Sequence, residues 1–272
     1  MPALNPGAFD AVARSYDEQF THSRLGRTLR RRVWGVLGQQ FQSGSHILEI
    51  ACGTGEDAVW LAQQGVTVTA CDGSRAMVRA AREKARAAGV THAVRVHQKS
   101  LQSLAVGAPS SLHGPYDGLL SNFGGLNTIA DWRPLGRSMA QAMRPGARAV
   151  LVPMGPYCPW EFAWFAGHGQ FSKALRRRRQ PAEARIGGDV IPIWYPSVRR
   201  LRADLRPWFR LLQVQSLGLW LPPSYLSQLV DRFPRAFSLL ERLEQATAVR
   251  SGGWGDHYIA VFSRTSLPAP GS

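Results

Sequence analysis

Two acids and a glycine turn stand in an order that can hold a cation and a sugar. Glu49 comes first, then Ile50-Ala51-Cys52-Gly53-Thr54-Gly55, and Asp72 follows downstream. Ala51, Gly53 and Gly55 alternate along the turn, and small residues there let backbone approach a ligand closely. Glu49, just before the turn, can hold a cationic amine. Asp72, at the end of the next apolar run, stands where a dinucleotide-type fold places the acid that accepts hydrogen bonds from ribose hydroxyls. A nucleotide pyrophosphate is the rival ligand, but it requires a G-x-G-x-x-G turn and a helix start free of negative charge. Glu56 and Asp57 open the helix here and would repel it.

Such a turn works only between a strand and a helix, and the surrounding pattern supplies both. Short apolar runs predict strands at 46–51, 67–71, 93–97, 116–121 and 147–154, alternating with helices at 57–64, 74–88 and 132–143. This βαβα rhythm implies a parallel sheet. Ahead of it, Phe9, Val12, Tyr16 and Phe20, then Leu25, Leu29, Val33 and Leu37, recur at helical spacing. Behind it, 155–196 turns aromatic, Arg-rich and Pro/Gly-rich and reads as an insertion over the sheet. A helix at 198–209, a strand at 210–217, a helix at 223–247 and a last strand at 257–263 follow. The domain reading is therefore 1–154 for the N-terminal helices and cofactor-binding core, 155–196 for a lid, 197–264 for the closing elements of that core, and 265–272 for a frayed tail.

The 272 residues are 44% hydrophobic, enough for a real core and too much for a fibrous or disordered chain. No apolar run approaches the ~20 residues that span a bilayer, and no signal segment opens the chain, so a cytoplasmic protein without a membrane span is expected. Cys52, Cys71 and Cys158 are scattered and no histidines cluster beside them, which suggests neither disulfides nor a metal. The formal charge of +15 attracts anions in general. Its Arg groups at 24–32 and 176–206 read as a solvated or anion-facing surface rather than as a nucleic-acid interface.

The segment HILEIACGTGEDAVWLAQQGVTVTACDGSRAMVRAAREKA resembles motif I and the unit after it in class I S-adenosylmethionine-dependent methyltransferases, especially the ubiquinone/menaquinone-biosynthesis-like branch. It combines E-x-x-C-G-T-G with D-x-S-x-x-M. The resemblance implies a Rossmann-like, seven-stranded, mostly parallel sheet with helices on both faces and a lid inserted after the fifth strand. It further implies S-adenosyl-L-methionine as cofactor and S-adenosyl-L-homocysteine as product. Glu49 would lie near the methionine amine, Ala51 and Gly53 under the cofactor, Asp72 on the ribose, and Gly73 and Met77 beside adenine. Ala51 replaces the more usual first glycine. Where the family has an acid after the third strand, this chain offers Ser100, or the Leu101 backbone, for the adenine. Asn122 and Phe123, after the fourth strand, resemble the segment lining the methyl-transfer face, and Tyr16 the aromatic that closes over the methionine.

Methyl transfer from a sulfonium is an in-line displacement, so the protein mainly positions the acceptor and excludes water. A base is needed only if the acceptor must lose a proton. His257, Tyr195, His168 and the orienting Asn122 are the candidates. Asn127 follows the fourth strand, and Trp160, Trp164 and Trp194 belong to an aromatic-rich insertion suited to a flat or greasy acceptor. Arg199 suits an anionic one. The expected partner is thus a small molecule, anionic or aromatic, with a homodimer as a further expectation. An RNA or protein methyltransferase is the first competitor, supported by charge. Ser121-Asn122-Phe123-Gly124 lacks the Asn/Asp-Pro-Pro-aromatic tetrad of many nucleic-acid amine methyltransferases. A cofactor-binding protein with a structural or cyclisation role is the second.

Overall fold

Each apolar run downstream of Ser45 ends in a turn and becomes a strand. In the computed structural model, which describes residues 7–107, 112 and 114–266, these are β1 (His46–Ile50), β2 (Thr67–Asp72), β3 (Val94–Gln98), β4 (Tyr116–Ser121) and β5 (Met143–Leu151). A separate hairpin, β6 (Ala182–Ile186) and β7 (Asp189–Ile193), follows, and β8 (Phe209–Leu217) and β9 (His257–Arg264) return to the main sheet. The sheet order is β3-β2-β1-β4-β5-β9-β8, with β9 antiparallel to both neighbours and the first five strands parallel. The tail expected to fray lies, from residue 267 on, outside the described residues.

Strands covered on both faces must be apolar on both, and β1 obeys this. Ile47 joins a core with Leu25, Leu29 and Leu37, whereas Leu48 and Ile50 join the opposite core with Trp132, Leu135 and Tyr258. The helices making these layers are α1 (Gly7–Tyr16), α2 (Arg24–Gln40), α3 (Glu56–Gln63), α4 (Arg75–Ala87), α5 (Leu101–Val106) and α6 (Arg133–Ala142). The insertion adds α7 (Pro159–Gly167) and a single turn, α8 (Phe171–Ala174), and the tail adds α9 (Val198–Leu205), α10 (Ser227–Arg232) and α11 (Pro234–Thr247).

Local chemistry fixes the starts. Ser23 accepts from Gly26 N at 3.0 Å to cap α2, and Ser74 accepts from Met77 N at 3.1 Å to cap α4, each satisfying an otherwise orphaned donor. A π-helical turn, Asp17–Thr21, joins α1 to α2, so the continuous N-terminal helical pattern is broken there. The single helix expected at 223–247 is broken too. Pro234 opens α11, and the residue before a proline avoids helical geometry, as Phe233 does at φ −127° and ψ 63°.

Gly55 heads α3 at φ 78°, and a Cβ there would lie 2.7 Å from Ala81 Cβ of α4. Gly55→Ala therefore combines a left-handed backbone with overpacking. It should cost about 3 kcal/mol in chemical denaturation without changing the slope.

Candidate active site

The glycine turn crosses the carboxyl ends of β1 and β2 in a conformation ordinary residues avoid. Ala51 sits at φ 53°, Gly53 at 55° and Gly55 at 78°. Ala51 thus occupies a left-handed position that costs about 1–2 kcal/mol for a residue with a Cβ. Its methyl also fills the room beside Gly125, where a Cβ would fall 2.4 Å away.

Asp72 is locked under the turn. Its Oδ2 accepts from Gly53 N and its Oδ1 from Ser74 N, both at 2.9 Å. Burial raises its carboxyl above the ordinary value against the Ser74, Gly53 and Gly73 amides, which lower it. Each oxygen keeps a lone pair for a ligand hydroxyl. Met77 is buried at the start of α4. Ser100 caps α5 through Ser103 N at 3.1 Å, and Leu101 is buried behind it.

Glu49 is buried, and its Oε2 has no hydrogen-bond partner. Burial, reinforced by Asp57 and eased by Arg30, holds its carboxyl well above the usual range. A buried carboxylate oxygen without a partner is costly, and an incoming ammonium would relieve it.

A second buried acid gathers three elements. Asp57 Oδ2 accepts from Arg30 of α2 at 2.6 Å and from Asn122 Nδ2 at 2.8 Å, and Oδ1 from Trp34 Nε1 at 2.7 Å. Glu56 is paired with Lys84 at 2.7 Å, and Lys84 also meets Asp17 at 2.7 Å. The acids opening α3 are therefore engaged as ion pairs, so their repulsion of a pyrophosphate is weaker than their unpaired charges implied.

Phe123 is the second strained residue, at φ 46°. Its ring packs edge-on against Phe20 (4.9 Å between centroids) and His257 (5.6 Å), with the Arg30 guanidinium 4.9 Å from its centroid. Tyr16 packs on Phe20 at 5.8 Å, and burial raises its hydroxyl to about 12. The structure thus brings Tyr16, Asn122, Phe123 and His257 into one chain of contacts.

Other candidates are engaged elsewhere. Asn127 has no exposure and spends its amide on backbone, donating to the Met154 and Trp194 carbonyls and accepting from Met154 N. It ties the insertion to the ends of β4 and β5. Tyr195 is buried beneath the Arg177 guanidinium, 4.9 Å from the ring centroid. Trp160 donates to the Trp220 carbonyl. Trp164 and His168 pack on each other at 4.5 Å, Trp194 is half-buried, and Arg199 is exposed on α9.

Three features escaped the sequence reading. Asp10 of α1 accepts from Ser74 Oγ and Ala76 N, which hooks α1 over the start of α4. Arg30 is buried within a run of arginines that read as surface. Arg177, in another such run, is also buried. It pairs with Asp256 and, at 3.0 Å, with Glu161, while donating to the Gly155 and Asp256 carbonyls. Asp256 lies 3.1 Å from His257 Nδ1. Burial pushes the Asp256 carboxyl up, but Arg177 and His257 overcome this and hold it well below the usual range. Isolated acids at 161 and 256 were the available signal, since a charge that folds inward needs a partner.

Residues 47–146 match the family model described as "Methyltransferase domain", and the fold is one shared with S-adenosylmethionine-dependent methyltransferases of known structure. The chain is 31% identical over 159 residues to a demethylmenaquinone methyltransferase of Beutenbergia cavernae, covering 57% of this chain and 60% of that one. It is 26% identical to a tRNA 5-carboxymethoxyuridine methyltransferase of Escherichia coli, covering 53% and 55%. These alignments span less than two thirds of the curated relatives' length. Among solved structures, the [4+2]-cyclase SpnF superposes with TM-score 0.64 at 14% identity over 96% of this chain and 94% of that one. The DhpI complex with S-adenosylhomocysteine gives 0.58 at 15% over 96% of each. At these identities the likeness is one of fold.

The residues present fit the cofactor of this class, because the unpartnered Glu49 oxygen suits an ammonium and the pinned Asp72 suits a ribose diol. Two measurements follow. Asp72→Ala should weaken S-adenosylhomocysteine binding in calorimetry by about 10- to 100-fold. For Glu49 the folded value is raised, so the stability linked to its proton is complete below the ordinary carboxylate value and is lost as pH rises through the raised one. Glu49→Gln should therefore melt above the parent at pH 8, with the difference vanishing toward pH 4, and should bind the same ligand more weakly.

Proposed function

We propose that the protein transfers the methyl group of S-adenosylmethionine to an oxygen, nitrogen or carbon of a small-molecule acceptor, in keeping with the specialised-metabolite chemistry that a large aromatic insertion suits. The observation that carries this reading is the pairing of the orphaned Glu49 carboxylate with Asp72 pinned beneath the Gly53 turn. The bound cofactor supplies a methyl on a sulfonium, open to displacement. Glu49 holds the amine and Asp72 the ribose, while Phe123 and Tyr16 form the apolar wall that keeps water from the reacting centre.

A cover over the strand ends favours a small acceptor over a polymer. Ala8 of α1 is buried with Ala182, Ile191, Ile193 and Tyr195 of the insertion, and Asp10 ties the same helix to α4. On this reading residues 155–196 serve as the lid, with Trp194 half-buried near its C-terminal end and Arg199 exposed just beyond it. The net charge and the likeness to a tRNA-modifying enzyme favour RNA as the second reading.

His257 is the candidate base for an acceptor that must lose a proton. Asp256 lies 3.1 Å from its Nδ1, a buried atom that makes no hydrogen bond among the described residues. Arg177 and Glu161 hold Asp256 in place from the insertion. Incubation with methyl-labelled cofactor should label compounds in a small-molecule extract and leave RNA and protein unlabelled; labelled RNA alone would replace this reading with the second. With an acceptor in hand, His257→Ala should lower kcat by ~10²- to 10⁴-fold while leaving cofactor affinity unchanged. Full activity in that variant would remove the base.

A further inference from the structure

α11 carries two acids and two arginines, and folding separates them. Glu241 turns inward to Thr28 Oγ1 at 2.7 Å, and Glu244, fully buried, accepts from Gly218 N and Trp220 N, both at 2.8 Å. Arg235 and Arg242 are exposed. Helical spacing places them on one face with Ala236, Leu239, Leu243 and Ala246.

The apolar members of this face are open to solvent. Leu239 is 59% exposed and Leu243 37%, and just beyond the two ends of the helix Phe233 is 53% and Val249 66% exposed. Arg232 and Arg250 accompany them, also exposed. Across the adjoining cleft of about 290 Å³, Arg31 of α2 faces Gln245. Asp231, on α10, is the exposed acid nearby in sequence, set against four guanidinium groups on 232–250.

We propose that this face of α10 and α11 is a docking surface for an anionic lipid bilayer, independent of which acceptor the enzyme uses. Aliphatic side chains interleaved with arginines can enter the headgroup layer while the guanidiniums meet lipid phosphates. Two other occupants fit less well. A second copy packed about a two-fold axis would set Arg235 and Arg242 against the same face of its partner, where α11 has no exposed carboxylate to receive them. A nucleic acid would pair the arginines but leave Phe233, Leu239, Leu243 and Val249 without an apolar partner. Among the described residues no helix is long and apolar enough to cross a membrane; the contact is with the bilayer surface.

Flotation of the full chain with vesicles made of equal parts phosphatidylglycerol and phosphatidylcholine, and with phosphatidylcholine alone, tests this. The parent protein should float with the anionic vesicles, and less so in high salt. Arg235→Ser with Arg242→Ser should lower the partition coefficient roughly 30-fold. Leu239→Ser with Leu243→Ser should lower it at least about tenfold. Both pairs are exposed, so their melting curves should match the parent. Equal partition onto both vesicles, or double variants that float like the parent, would overturn the proposal. So would a dimer in solution that the leucine pair dissolves, or tRNA binding that only the arginine pair abolishes in a protein that does not float.

Discussion

Asp57 is the point at which three otherwise separate pieces of the chain meet. Its carboxylate takes donors from Arg30, Trp34 and Asn122, so α2, the helix after the glycine turn and the segment after β4 are fixed to one another. Taking two charges out of water is expensive, and removing one partner of a buried pair costs about 3–5 kcal/mol. Such a contact holds only if every donor is in place. Arg30 reaches on to the face of the Phe123 ring, which sets the aromatic wall, and Phe123 in turn meets His257 on the last strand.

A second ion network does for the other end of the site what Asp57 does for the first. Arg177 and Glu161 come from the insertion, and Asp256 precedes β9. The insertion is therefore joined to the sheet by charge, and to α1 by the apolar contact of Ala8 with Ile191 and Tyr195. Asn127 adds a neutral link with every amide atom engaged to backbone. Most polar groups at both ends of the site are paired before a ligand arrives, although Arg30 Nε, Arg177 Nε and His257 Nδ1 are buried without a hydrogen-bond partner. Among the orphaned atoms of the described residues Glu49 Oε2 is the one acid oxygen, and a buried acceptor of that kind marks where a cationic ligand gains binding energy.

The sheet was legible because buried strands write themselves as apolar runs, and β1, β2, β4 and β9 fall within a few residues of their expected limits. The turn and Asp72 were legible because backbone approach requires small residues in order. Arg30 and Arg177 were not. A run such as Arg176 to Arg179 reads as solvated because most such residues are, and only the three-dimensional position of Glu161 and Asp256 singles out the one that turns inward. Asn127 reads as a ligand group beside Gly124 and Gly125, yet its polarity serves the backbone. The long helix expected at 223–247 failed at Pro234, where apolar spacing outweighed the proline in the reading but not in the chain.

Ala51 and Gly125 tie two distant parts of the sequence to a common history. The methyl at 51 forbids one at 125, where a Cβ would lie 2.4 Å from it, but with that methyl gone the nearest atoms of residue 51 stand 3.6 and 3.8 Å away. Substitution is therefore ordered. A lineage can lose the side chain at 51 and later gain one at 125, but not in the reverse sequence, so the two positions should co-vary among descendants of this chain in one direction only.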